Sequence, residues 1–139
     1  MDIWFMNKLS AVVTGVEGEQ NLHILRFDFQ GESLSMMGLD LPFGLKIGAN
    51  VILGAKPSHI AIAKNIHGEL SYSNQLKGMI VRIENGKLLS SIVVEIKKDV
   101  TLQSFITAKS SQRMNLQTGD DVTLLIKASD LFVLEVCDV

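Results

Sequence analysis

Disulfide stapling is closed to this sequence, because it contains one cysteine, Cys137. A lone thiol with no nearby base in the sequence gets no chemical role and fits a reducing compartment. An excess of positive charge is also missing. Lys and Arg number 13 against 15 Asp and Glu, for a net charge of −2 and a pI near 5.9. Aromatic residues are scarce at 6%. A nucleic-acid binder of the small-barrel kind needs a basic groove with stacking rings, so that class ranks last. No apolar run approaches the ~20 residues that span a bilayer. The N-terminal "MDIWFMNKLSAVV" has an early Asp and no signal-length apolar core. These absences predict a cytoplasmic protein with no membrane insertion. His23, His59 and His67 form no metal-ligand spacing. No Ser-His-Asp order, phosphate loop or carboxylate pair is evident, so the chain is not expected to be an enzyme.

What the sequence does have is strand periodicity. "LRFDFQ" (25–30) puts Leu25, Phe27 and Phe29 on one face and Arg26, Asp28 and Gln30 on the other. "SIVVEI", "TLQSFI", "VTLLIK" and "LFVLEV" are rich in β-branched and large apolar residues and are bounded by turn signals. Asn85-Gly86 predicts a tight hairpin. One short helix is expected near 108–116, capped by Ser110 or Ser111. The fold class is therefore all-β, as small barrels with tight turns.

The chain also repeats itself. Gly48, Val51, Lys56 and Ser58 match Gly119, Val122, Lys127 and Ser129 in register, and "NKLSAVVTGVE" from Asn7 matches "NQLKGMIVRIE" from Asn74. Asn to Lys spans 49 residues in the first copy and 53 in the second, a difference that falls near "ITAKSSQRMNLQTG". The predicted units are 5–64 and 71–136.

The second unit carries "SYSNQLKG", "ITAKS", "TGDDV" and "LIKASD" in order. In that order and spacing, over about 65 residues, it resembles the molbindin (Mop, or TOBE) domain, a β-barrel related to OB folds. The first unit resembles a degenerate copy. The resemblance implies two tandem OB-like barrels and binding of molybdate or tungstate as an oxyanion, with no organic cofactor. It is similar to tandem Mop proteins and to the molybdate-binding regions of molybdate-responsive regulators and importer ATPases. It further implies a homo-oligomer, a dimer or trimer of tandem chains, since the family's anion sites lie at subunit contacts. The apolar residues on both faces of "LFVLEV" point the same way. The role implied is storage, buffering, delivery or sensing. The alternative is an interaction module without a ligand, acting on a molybdate importer ATPase or a regulator.

A tetrahedral dianion offers only acceptors, so its site must supply hydroxyls, backbone N–H groups and a cation. The residues of the second copy that fit are Ser71, Ser73, Asn74, Thr107, Ser110, Lys127 and the Ala128 N–H. By resemblance, Thr107, Ser110, Lys127 and Ala128 match family ligand positions and Ser71 matches the motif's first Ser. Ser73 stands where the family has Arg, which removes a permanent charge and a planar donor fork; Lys109 is a candidate to return the charge. Each residue also has an ordinary reading. A Lys at a strand end is usually solvated, Thr and Ser before a helix are usually caps, and Asn often stabilises a turn. The first copy has Pro57, with no N–H, after Lys56. It has "SMMGLDLPFG" with Asp40 in place of the Thr-x-x-Ser loop, and "IWFMNKL" in place of "SYSNQL". One oxyanion per chain, held by the second copy, is the expectation.

Overall fold

A computed structural model of the chain describes residues 6–41 and 45–137. The opening "IWF" of the first copy and its Pro42-Phe43-Gly44 lie outside the described residues. In chain order the strands are β1 (Asn7–Glu19), β2 (Leu22–Phe29), β3 (Glu32–Gly38), β4 (Asn50–Ala55), β5 (Ala61–Ala63), β6 (Asn74–Asn85), β7 (Leu89–Lys97), β8 (Val100–Thr107), β9 (Asp121–Ile126) and β10 (Phe132–Val136). A helix, α1 (Ala108–Arg113), follows β8, and 3-10 turns lie at Pro57–His59 and Ala128–Asp130.

The described residues form two five-stranded sheets, in the orders β10-β4-β1-β2-β3 and β5-β9-β6-β7-β8. Each sheet takes one strand from the other half of the chain. β5, from the first half, pairs antiparallel with β9, and β10, from the second half, pairs with β4. The sheets therefore cross the sequence division 5–64 and 71–136. The exchange accounts for the two apolar faces of "LFVLEV". Leu131 is buried, Phe132 and Val133 are half-buried, and the ring of Phe132 lies against Gly54 so closely that a Cβ there would stand 2.8 Å from it. A side chain at position 54 would force the Phe132 and Leu134 side chains of β10 to move.

The duplication extends to irregular features. Both long strands bulge at the same place, between Val13 and Gly15 and between Ile80 and Arg82. Beside each bulge a glycine in the left-handed region turns the chain into the next strand. These are Gly48 (φ 93°) and Gly119 (φ 96°), whose N–H groups donate to the carbonyls of Val13 and Ile80, both at 2.8 Å. The registers Arg26↔Ser35 and Val93↔Gln103 make Ser35 and Gln103 equivalent. On that register the four extra residues of the second copy are one at a bulge near the end of β7, between Glu95 and Lys97, and three in the α1 segment.

β2 follows the predicted alternation, with Leu25, Phe27 and Phe29 at 0, 0 and 3% exposure. Buried residues of both halves join in one apolar cluster. Burial on this scale supplies most of the stabilisation, at roughly 25 cal/mol per Å² of apolar surface. Two local expectations change. Asn85 and Gly86 do not form a two-residue turn: Gly86 N–H donates to the Leu89 carbonyl, and the Ser90 hydroxyl donates to Asn85 Oδ1 at 2.7 Å, which widens the loop. The helix is shorter than 108–116 and is capped by Thr107, whose extended backbone (φ −68°, ψ 147°) lets Oγ1 accept from the Ser110 N–H.

Candidate functional site

Strand exchange decides where the predicted residues go. Lys127 and Lys56 each precede a 3-10 turn with nearly the same backbone, φ −67°, ψ 147° and φ −69°, ψ 136°. The Pro57–His59 turn packs on β8 of the second half, and the Ala128–Asp130 turn packs on β3 of the first. Each lysine-bearing turn thus faces the opposite copy. The two turns meet where His59 Nδ1 lies 3.5 Å from Asp130 Oδ1.

Two groups result. Asn74 pairs with Ile126 at the root of the second turn, so Ser73 and Lys127 are the next residues outward on adjacent strands. Ser71, Ser73 and Lys127 are exposed there, with Ala128 half-buried. Lys127 makes no salt bridge or side-chain cap bond among the described residues. Ala128 is the first residue of its turn, a position whose N–H a helix leaves without an internal partner. Thr107 and Ser110 form the second group, beyond β8. Thr107 Oγ1 lies 2.9 Å from Ser110 Oγ, and Arg113 Nη2 donates to Ser110 Oγ at 3.3 Å. No hydrogen bond or ion pair among the described residues joins the two groups.

The Asn74 side chain turns to neither donor group. Its side chain is 0% exposed; Oδ1 accepts from Ser35 N–H at 2.7 Å and Nδ2 donates to the Ser35 carbonyl at 2.9 Å. It was expected among the oxyanion donors, but its amide is engaged with the edge of β3. Asn7 does the same in the other direction. It is 2% exposed, Nδ2 donates to the Gln103 carbonyl and Oδ1 accepts from Gln103 N–H, both at 2.8 Å. Sequence reading missed this pair, although both residues open the repeat as Asn-x-Leu.

A cleft of about 320 Å³ is lined by Ser58, His59, Tyr72, Phe105, Ile106 and Asp130 among others, and by none of the predicted residues themselves. Ser71 and Ser73 flank Tyr72, and Thr107 follows Ile106. A larger cavity, about 600 Å³, lies on the face of β6 and β9 and likewise contains none of the predicted residues. Lys109 is exposed on α1 and makes no ion pair among the described residues. Arg113, which the sequence reading passed over, is the cation that contacts the hydroxyl pair.

One further charge ties the exchanged segment down. Lys64, just after β5, donates to the carbonyls of Met114 and Asn115 at 3.2 and 3.1 Å and pairs with Asp120 at 3.1 Å. The Gln117 N–H first, and Lys64 second, hold the Asp120 carboxyl below its ordinary range against a small opposing effect of burial.

Residues 70–133 match the model of the TOBE domain. Molybdenum-pterin-binding protein 1 of Clostridium pasteurianum is 31% identical over 65 residues, which are 47% of this chain and 96% of that protein. A probable molybdenum-pterin-binding protein of Haemophilus influenzae is 32% identical over 65 residues, 94% of its length. The molybdenum import ATP-binding protein ModC of Methylococcus capsulatus matches 85% of this chain at 26% identity, over 33% of its own length. Among solved structures, the cytoplasmic molybdate-binding protein ModG superposes with a TM-score of 0.89 over 96% of this chain and 98% of that one, at 19% identity, and so shares the fold. The repeat, the paired barrels and these likenesses converge: the chain belongs to the TOBE-domain family of molybdenum-pterin-binding proteins.

Proposed function

We propose that this chain is a cytoplasmic oxyanion-binding protein that takes up molybdate or tungstate for storage, buffering or delivery, and that it is not an enzyme. The observation that carries this reading is the exposed Lys127, which makes no ion pair among the described residues and leads a 3-10 turn one residue beyond the Asn74–Ile126 pair, with exposed Ser73 the residue before Asn74 and Ser71 two residues further up the chain. Cation, hydroxyls and a turn N–H are what a dianion with acceptor oxygens requires. Thr107 and Ser110, with Arg113 beside them, supply a second donor set at the other junction. The relatives, molybdenum-pterin-binding proteins and a molybdate-binding protein of the same fold, agree with this chemistry. A homo-oligomer of tandem chains, and contact with an importer ATPase or a regulator, belong to the same reading. The relatives ModC and ModE, a molybdenum transport protein, motivate the second part.

The test is elemental analysis of the purified protein, followed by calorimetric titration with molybdate, tungstate and sulfate. Saturable molybdate binding that sulfate does not displace supports the reading. A flat molybdate titration overturns it.

A further inference from the structure

Asn7 and Asn74 are polar side chains placed where a barrel protein would ordinarily bury an apolar one. Burying an amide is tolerated only when its groups are bonded. Each is bonded to both backbone groups of a single residue on the opposite copy, Gln103 for Asn7 and Ser35 for Asn74. Those targets are equivalent in the repeat and lie on β8 and β3, the outermost strands of their sheets. The amide therefore reads an open sheet edge at one point, as a neighbouring strand would, and covers it. Because N–H and C=O groups alternate in direction along a strand, sliding the opposite strand by one residue would break both bonds at once.

The position of these clips ties them to the donor groups. Asn74 pairs with Ile126 and Asn7 with Ala55, the residues just before Lys127 and Lys56. Four residues beyond the clipped Gln103 lies Thr107, and four beyond the clipped Ser35 lies Leu39. Asn7 thus sets the Lys56 turn against the strand leading to Thr107. Asn74 sets the Lys127 turn, with Ser73, against the strand leading to Leu39.

We propose that Asn7 and Asn74 are positioning residues of the oxyanion sites, each fixing the register between one copy's lysine turn and the opposite copy's sheet edge. The inference rests on the oxyanion-binding reading and adds a task that neither residue performs as a ligand. Buried polar groups that fix register at some cost in stability are known in other assemblies.

The experiment is a double-mutant cycle on the full chain, read by calorimetric molybdate titration. Asn74→Ala should weaken molybdate binding about tenfold in the wild-type background and have no further effect in a Lys127→Ala background, as coupled neighbours do. Asn7→Ala should weaken binding by the same factor in both backgrounds, because it serves the other junction. A residue that only stabilises the fold would lower the melting temperature and leave the effects of Asn74→Ala and Lys127→Ala additive, which overturns the proposal. Should Asn74→Ala fail to fold, amide exchange of the wild-type chain decides. Ser35 N–H should be protected, and more so with molybdate bound; binding without any change at Ser35 also overturns it. A wild-type chain that binds no molybdate sinks the functional reading and the positioning role with it, whereas the other failures sink the positioning role alone.

Discussion

The junction at Lys127 and the junction at Lys56 have the same backbone and different chemistry. Their turn-leading residues differ by 2° in φ and 11° in ψ (−67° against −69°; 147° against 136°). Ala128 offers an N–H where Pro57 has none. In the opposite direction, Thr107 and Ser110 stand beyond β8, whereas Leu39 holds Thr107's place beyond β3. A symmetric pair of identical units would carry two identical junctions. Fusing two copies in one chain lets them diverge, and here the hydroxyl pair and the free lysine with its turn N–H have gone to different sides. The second copy supplies both donor groups, but strand exchange faces each group toward the first copy.

The largest expected effect tests whether the halves are thermodynamically separate at all. Phe27 and Val94 are equivalent, both 0% exposed and both in the shared core cluster. Phe27→Ala should cost about 3–5 kcal/mol. Since each sheet contains a strand from the other half, denaturant unfolding followed by amide exchange should show both sheets destabilised together. Loss of protection confined to β1–β3 would mean that the halves unfold independently.

Next comes the contrast between the two lysines. Lys127→Ala should weaken molybdate binding by roughly ten- to a hundredfold, the worth of one charge-assisted hydrogen bond at about 1.5–3 kcal/mol. Lys56→Ala should weaken it less, because its turn begins with proline. Equal losses in parallel titrations would erase the distinction between the junctions.

A smaller effect is expected at Ser73, exposed beside Lys127. Ser73→Arg restores the residue of the resembled motif and adds a permanent cation. Binding should tighten modestly and become more sensitive to salt. Tightening that is the same at low and high ionic strength would place the new guanidinium away from the anion.

The smallest effect concerns acid. The Asp120 carboxyl titrates below its ordinary range in the folded chain because it accepts from Gln117 N–H and Lys64. Its contribution to stability is therefore complete above the ordinary carboxylate pKa and is lost as pH falls through the lower folded value. Asp120→Asn should flatten the acid limb of the stability profile in that window and loosen the Lys64 clamp on the exchanged β5. An unchanged limb would show that the clamp rests on the Met114 and Asn115 carbonyls alone.

Period-two alternation in "LRFDFQ" and the in-register Gly, Val, Lys and Ser of the repeat were sufficient to read strands, a duplicated unit and an all-β fold. They encode which face of a strand is apolar and where a turn must fall, and those are local properties. The role of Asn74 was not legible, because an Asn before a strand looks the same whether its amide meets an anion, a turn or the edge of another sheet. Nor did the sequence tell which strand completes which barrel. β5 and β10 are both short and apolar and would satisfy the edge of either β4 or β9. Only the tertiary structure, through the segment 64–73 between β5 and β6, the Lys64 clamp and the two asparagine clips, selects the exchanged pairing. Hydrophobic patterning specifies burial without naming a neighbour; directional hydrogen bonds between residues distant in sequence name it.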